Sequence, residues 1–183
     1  MNNAQTAYAK PAVIIHWVLA VSIFFLFISS WWMLALPLPS ENFTYRVLPF
    51  QLHKNVGMTL FILLGMLFYI RLRHRPGPDV TMNNKPMQRR LAIADHVLLY
   101  GLIAACCISG YMSSSYSGWD TSLWWLVDLP AWGYENDGLN ILYSDIHLWT
   151  CWALLAVLAI HISAALYHGF LSDGALKRMT SFD

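Results

Sequence analysis

The sequence is short of charge. Of its 183 residues only 11% are Asp, Glu, Lys or Arg, against 57% apolar and 15% aromatic, where a soluble domain carries roughly 25% charged residues. That scarcity argues against a water-soluble enzyme. It also excludes intrinsic disorder, which needs low hydrophobicity and high net charge. Eleven basic residues against ten acidic leave a net charge of +1, so nucleic-acid binding through massed phosphate contacts is excluded too. Cysteine is scarce as well. The adjacent Cys106 and Cys107, together with Cys151, lie in apolar runs. They offer no C-x-x-C metal pair, no C-x-x-C-H haem attachment and no extracellular disulfide framework, and read as small buried hydrophobes.

What the chain has instead is four long apolar runs separated by polar connections. They predict an all-α integral membrane four-helix bundle in a single membrane domain, residues 1–183, with helices at approximately 11–36, 51–71, 91–115 and 145–171. Each run supplies about 20 residues, enough for a hydrocarbon core of about 30 Å. The second carries Lys54 near its start, a charge long enough to snorkel to the interface. The first is too long for a cleavable signal peptide and ends without a small-residue cleavage pattern, so it is expected to remain as a helix.

Direction follows from Lys and Arg. Lys10, Arg71, Arg73, Arg75, Lys85, Arg89, Arg90, Lys177 and Arg178 fall on one side, and only Arg46 and Lys54 on the other. Nine against two places both termini in the cytoplasm. The long connection from Ser113 to Asp145 carries five acids and no Lys or Arg, and eight of the nine tryptophans gather on that outer side. Amphipathic rings favour the headgroup zone, so an ordered outer cap is expected.

Seven histidines stand out against this background, because ionisable groups at membrane depth are costly and usually functional. Sorted by depth, His53 and His147 lie near the outer side, and His16 and His161 near the cytoplasm. On the fourth helix His161 follows His147 by fourteen residues, about 21 Å along the axis and only about 40° off alignment. His168 is seven residues further, again on nearly the same face. Four imidazoles at two depths suit haem iron, whose equatorial positions the porphyrin fills and which needs two axial ligands per site. A structural zinc would need four protein ligands at one depth, and a di-iron centre would need Glu-x-x-His. His96 and His168, with Lys85 nearby, are the candidates for a quinone pocket, which needs a proton donor beside an electron source. His74, in a basic loop, reads as surface charge. Gly57, Gly101, Gly110, Ala164 and Ala165 are small enough to leave room for a porphyrin, although close helix packing selects the same residues.

Several short stretches go further. His16-Trp17, Leu52-His53-Lys54 with Gly57-Met58, Asp95-His96 with Leu98 to Tyr100, Ile108-Ser109-Gly110-Tyr111, His147 with His161, and Leu176-Lys177-Arg178-Met179 together resemble the bacterial cytochrome b561 family over nearly the whole chain. The family is related to the b subunits of nickel hydrogenases. The resemblance implies two b-type haems, one held by His16 and His161 and one by His53 and His147, in a bacterial inner membrane. It also implies electron exchange with quinone, with ubiquinone as the substrate, as part of electron transport in a respiratory chain. One branch of the family oxidises superoxide on the outer side.

The expected function is therefore a membrane di-haem cytochrome that carries electrons between a periplasmic donor or acceptor and the quinone pool. Its partners are lipid, quinone and that unidentified outer molecule, and a second copy of the chain is a further partner to consider. Superoxide:quinone oxidoreduction is one alternative, although the acidic outer segment would repel superoxide unless Arg46 and Lys54 line the opening. A haem anchor subunit relaying electrons for a partner enzyme is another. A transporter with a histidine relay is disfavoured, because the chain shows neither repeated nor broken helices.

Overall fold

A computed structural model describes residues 10–35, 43–73 and 86–170, with the side chains of residues 43–46 left aside. Among them are four long helices: α1 (Lys10–Ala35), α2 (Phe43–Arg73), α3 (Pro86–Tyr116) and α4 (Asp137–Phe170). All four are long and apolar enough to cross a membrane. Their large hydrophobic side chains are extensively exposed, Phe24, Ile62, Leu98 and Ile160 among them, as an outer surface bathed in lipid requires.

The helices begin where local chemistry allows. Pro86 opens α3 and Pro11 is the second residue of α1, positions where the missing N–H is not needed and the fixed φ suits a helix. Asn136 caps α4 by accepting the Leu139 N–H at 3.0 Å, so this helix starts well before the residue 145 expected from apolar periodicity. Helix α2 likewise starts at Phe43 and carries Pro49 within it. The extra turns carry Arg46 and Pro49 in α2 and Asp137 and Asn140 in α4, residues that interrupt an uncharged apolar run. His53 and His147 are accordingly well inside their helices rather than at the starts.

Helix α1 packs chiefly on α2, and α3 on α4, with fewer contacts joining α2 to α3. The central core takes Ala12, Ile15, Leu19 and Ile23 from α1, Leu60, Leu64 and Leu67 from α2, and Leu99, Ile103 and Cys106 from α3, with Leu154 from α4. Steps of three and four residues put each set on one helix face. Ring contacts fix the up-down-up-down sense: His16, early in α1, meets His161, late in α4, while His53, early in α2, meets His147, early in α4. The apolar core lies between these two levels.

Between α3 and α4 the chain forms a two-stranded antiparallel hairpin, β1 (Thr121–Leu123) and β2 (Val127–Leu129). Its turn places Trp124 at φ 49° and Trp125 at φ 58°, and the Leu126 N–H returns to Leu123 O at 3.0 Å. Two consecutive positive φ values make this a type I′ turn, normally the place of Asn-Gly. For residues other than Gly the left-handed conformation costs roughly 1–2 kcal/mol each. Contacts on α2 hold it there: Trp124 N–H donates to Oδ1 of the wholly buried Asn55 at 2.6 Å, and Trp124 Nε1 donates to Thr59 Oγ1 at 3.0 Å.

Candidate functional site

At the end of the bundle away from the hairpin, the His16 and His161 ring centroids are 6.3 Å apart. At the hairpin end those of His53 and His147 are 6.4 Å apart. The helices thus bring together the two pairs sorted from the sequence by depth. A metal–imidazole bond is about 2 Å long and the ring centre lies about 1 Å behind its nitrogen, so two imidazoles on opposite sides of one metal ion have centroids about 6 Å apart. Both pairs have that separation. Because α4 is unbroken from Asp137 to Phe170, the fourteen residues from His147 to His161 separate the two levels by about 21 Å.

The outward nitrogens are engaged. His147 Nδ1 donates to the backbone oxygen of Cys106 at 2.8 Å, with Ser109 Oγ at 3.4 Å. His161 Nδ1 donates to Asp95 Oδ2 at 2.7 Å. His53 Nδ1 lies 3.5 Å from Ser29 Oγ, whose own hydroxyl is donated to Leu26 O at 3.1 Å. Such partners fix the tautomer with the proton on Nδ1, which makes Nε2 the nitrogen a metal would take at His53 and His161, while at His147 Nε2 lies 3.6 Å from Cys151 Sγ. The His16 ring meets Trp17 edge-on at 5.7 Å.

A cavity of about 770 Å³ opens at the hairpin end, with His53, His147, Gly57, Gly110 and Lys54 among its lining. A Cβ built on Gly57 would meet nothing within 4 Å, so this wall is open beside His53. Gly110 is different: a Cβ there would stand 3.1 Å from Cε1 and Nδ1 of His147, and the ring occupies the place a side chain would take. Gly110 is therefore bound to the position of His147 in a way that general packing of small residues does not explain. The spacing, the committed outward nitrogens and the open volume fit a flat macrocycle held by two imidazoles.

Lys54 reaches toward the hairpin end of the bundle. Its Nζ donates to Ser114 Oγ at 2.9 Å, and Ser114 in turn bonds Thr121 Oγ1 at 2.7 Å. Asp145 lines the same cavity, and Gln51 Nε2 reaches Asp120 O at 3.5 Å. The three cysteines carry no disulfide. They are more than scattered hydrophobes, since Cys106 and Cys151 meet sulfur to sulfur at 3.5 Å and Cys151 lies 3.6 Å from His147 Nε2.

Around the other pair, His96 places its ring 5.4 Å from that of His161 and donates Nδ1 to Ala92 O at 2.7 Å. Arg71 stands over the Tyr100 ring at 5.5 Å. His168 lies one residue from Tyr167, their rings meeting edge-on at 5.7 Å. Lys85, His74, Arg75, Lys177 and Arg178 fall outside the described residues. Asp95 is the residue that reading by composition undervalued. It was noted beside His96 but given no role, although a lone acid in a membrane-spanning helix is itself a signal.

A model of the prokaryotic cytochrome b561 family matches residues 7–182. The chain belongs to that family. A protein of Escherichia coli strain K12 named cytochrome b561 homolog 2 is 32% identical over 182 residues, covering 97% of this chain and 93% of that protein. Membership makes the protein a multi-pass bacterial membrane protein of a family that transfers electrons through haem b.

Proposed function

We propose that the protein carries electrons across a bacterial inner membrane between an outer donor or acceptor and the quinone pool, using two haem b groups, one between His16 and His161 and one between His53 and His147. The observation that carries this reading is the matched ring spacing, 6.3 and 6.4 Å, at two levels of one bundle. Held between His16 and His161 and between His53 and His147, haem would supply a one-electron ferric/ferrous couple. The chain's own residues hold the rings, exclude water with the apolar core between the levels, and supply protons at the end where quinone reacts. Lys10, Arg71, Arg73, Arg89 and Arg90 sit at the end bearing α1's start, which supports cytoplasmic termini by the positive-inside rule.

At that end His96, beside the His161 ring, and His168 on α4 form the proton-supplying side of the quinone pocket, with Lys85 as a third member. His168→Ala is expected to leave the dithionite-reduced spectrum intact while quinol oxidation by the purified protein falls about 10²-fold or more, the usual worth of a positioned acid–base group, which accepts protons in this direction and donates them in quinone reduction. Loss of haem in this variant would instead make His168 a ligand or a folding residue. Turnover with quinol by the purified chain alone separates a self-sufficient oxidoreductase from an anchor subunit. A second reading, superoxide oxidised at the hairpin end with quinone reduced, draws on Lys54 in the cavity wall. Asp145 in the same wall favours a cationic donor.

A further inference from the structure

The two histidines of α4 are held by unlike partners. His147 gives its outward N–H to a backbone carbonyl, Cys106 O, at 2.8 Å, whereas His161 gives its own to a carboxylate, Asp95 Oδ2, at 2.7 Å. A carbonyl presents a dipole; a carboxylate presents a full negative charge and a stronger, charge-assisted bond. The side chains of His161 and Asp95 are only 22% and 20% exposed, so water screens the bond poorly.

Among the described residues His161 is the hydrogen-bond partner of the Asp95 carboxylate. Asp95 Oδ1 is buried and receives no hydrogen bond. His96 Nδ1 lies 3.8 Å from Oδ2 but is already donated to Ala92 O at 2.7 Å. Asp95 is thus committed to His161.

We infer that Asp95 is a positioning residue that holds the His161 ring by its Nδ1 and lowers the reduction potential of the haem bound between His16 and His161, with no carboxylate among the described residues hydrogen-bonded to the histidines at the hairpin end. The inference rests on the haem pairing proposed above. Its physical basis is ligand basicity: an imidazole whose N–H is hydrogen-bonded to an anion is a stronger donor, and stronger donation favours ferric over ferrous iron.

The test is a redox titration followed by absorbance, in the His147→Ala background, which retains only the His16/His161 haem. Asp95→Asn preserves shape and an acceptor oxygen but removes the charge; it is expected to raise the midpoint potential and to shift the low-spin ferric EPR signal. Asp95→Glu keeps the charge and is expected to leave the midpoint near that of the parent. An unchanged midpoint in Asp95→Asn overturns the inference, as does an equal rise in Asp95→Glu. Haem loss in Asp95→Asn with retention in Asp95→Glu would show an anchoring role alone and also overturns the potential-setting role. If the His147→Ala parent holds no haem at all, the pairing itself fails and the inference falls with it.

Discussion

Replacing His147 with alanine is expected to halve the haem content of the purified protein, from two per chain to one, and to abolish electron transfer between the two faces. Alanine is the best helix former, so α4 should persist. The outward nitrogen of His147 is bonded to a backbone oxygen, and the space vacated borders a cavity already present at the hairpin end. His53 would keep its contact with Ser29 but face no second imidazole. The haem between His16 and His161, about 21 Å away along α4, should remain. Losing a partner of a metal ligand typically costs about 10–100-fold in affinity or activity, and losing the ligand itself should cost more. Pyridine haemochrome quantification against protein concentration gives the count; retention of both haems would refute the pairing.

His161→Ala is expected to remove the other haem, end exchange with quinone, and destabilise the protein more than His147→Ala does. The difference lies in what is left behind. His147 leaves a backbone carbonyl, whereas His161 leaves a carboxylate that is four-fifths buried and has lost its donor. An unsatisfied buried polar group costs about 1–3 kcal/mol, more if charged. Partial exposure at Asp95 lets water offset some of that. Thermal unfolding in detergent should therefore place His161→Ala below His147→Ala, and His161→Ala/Asp95→Ala, which removes both partners, should recover part of the gap. Equal melting temperatures for the two single variants would show that the Asp95 bond contributes little to stability.

The four helices were legible because membrane-spanning runs are the strongest signal a sequence carries, and the histidine pairs because helical geometry turns residue spacing into depth and direction. Fourteen residues on one helix is a distance, and the structure keeps α4 continuous across it. Two other features were illegible for physical reasons. The hairpin turns on Trp124 and Trp125 at positive φ, where turn chemistry points to Asn or Gly. It persists because the Asn55 oxygen and the Thr59 hydroxyl on α2 over-determine it, and no local pattern encodes a partner about seventy residues away. The early start of α4 depends on Asn136 acting as a cap, inside a polar stretch that reads as loop. Asp95 lay in between. Its position was visible, but its role required knowing that α3 and α4 pack together with His161 facing it.

The central claim is that each chain binds two haem b groups between two pairs of histidines. The most direct test is the dithionite-reduced absorption spectrum of the purified protein, taken with haem quantification on the same sample. The account predicts a b-type α band with two non-covalent haems per chain; a single haem per chain, or no b-type band, would contradict it.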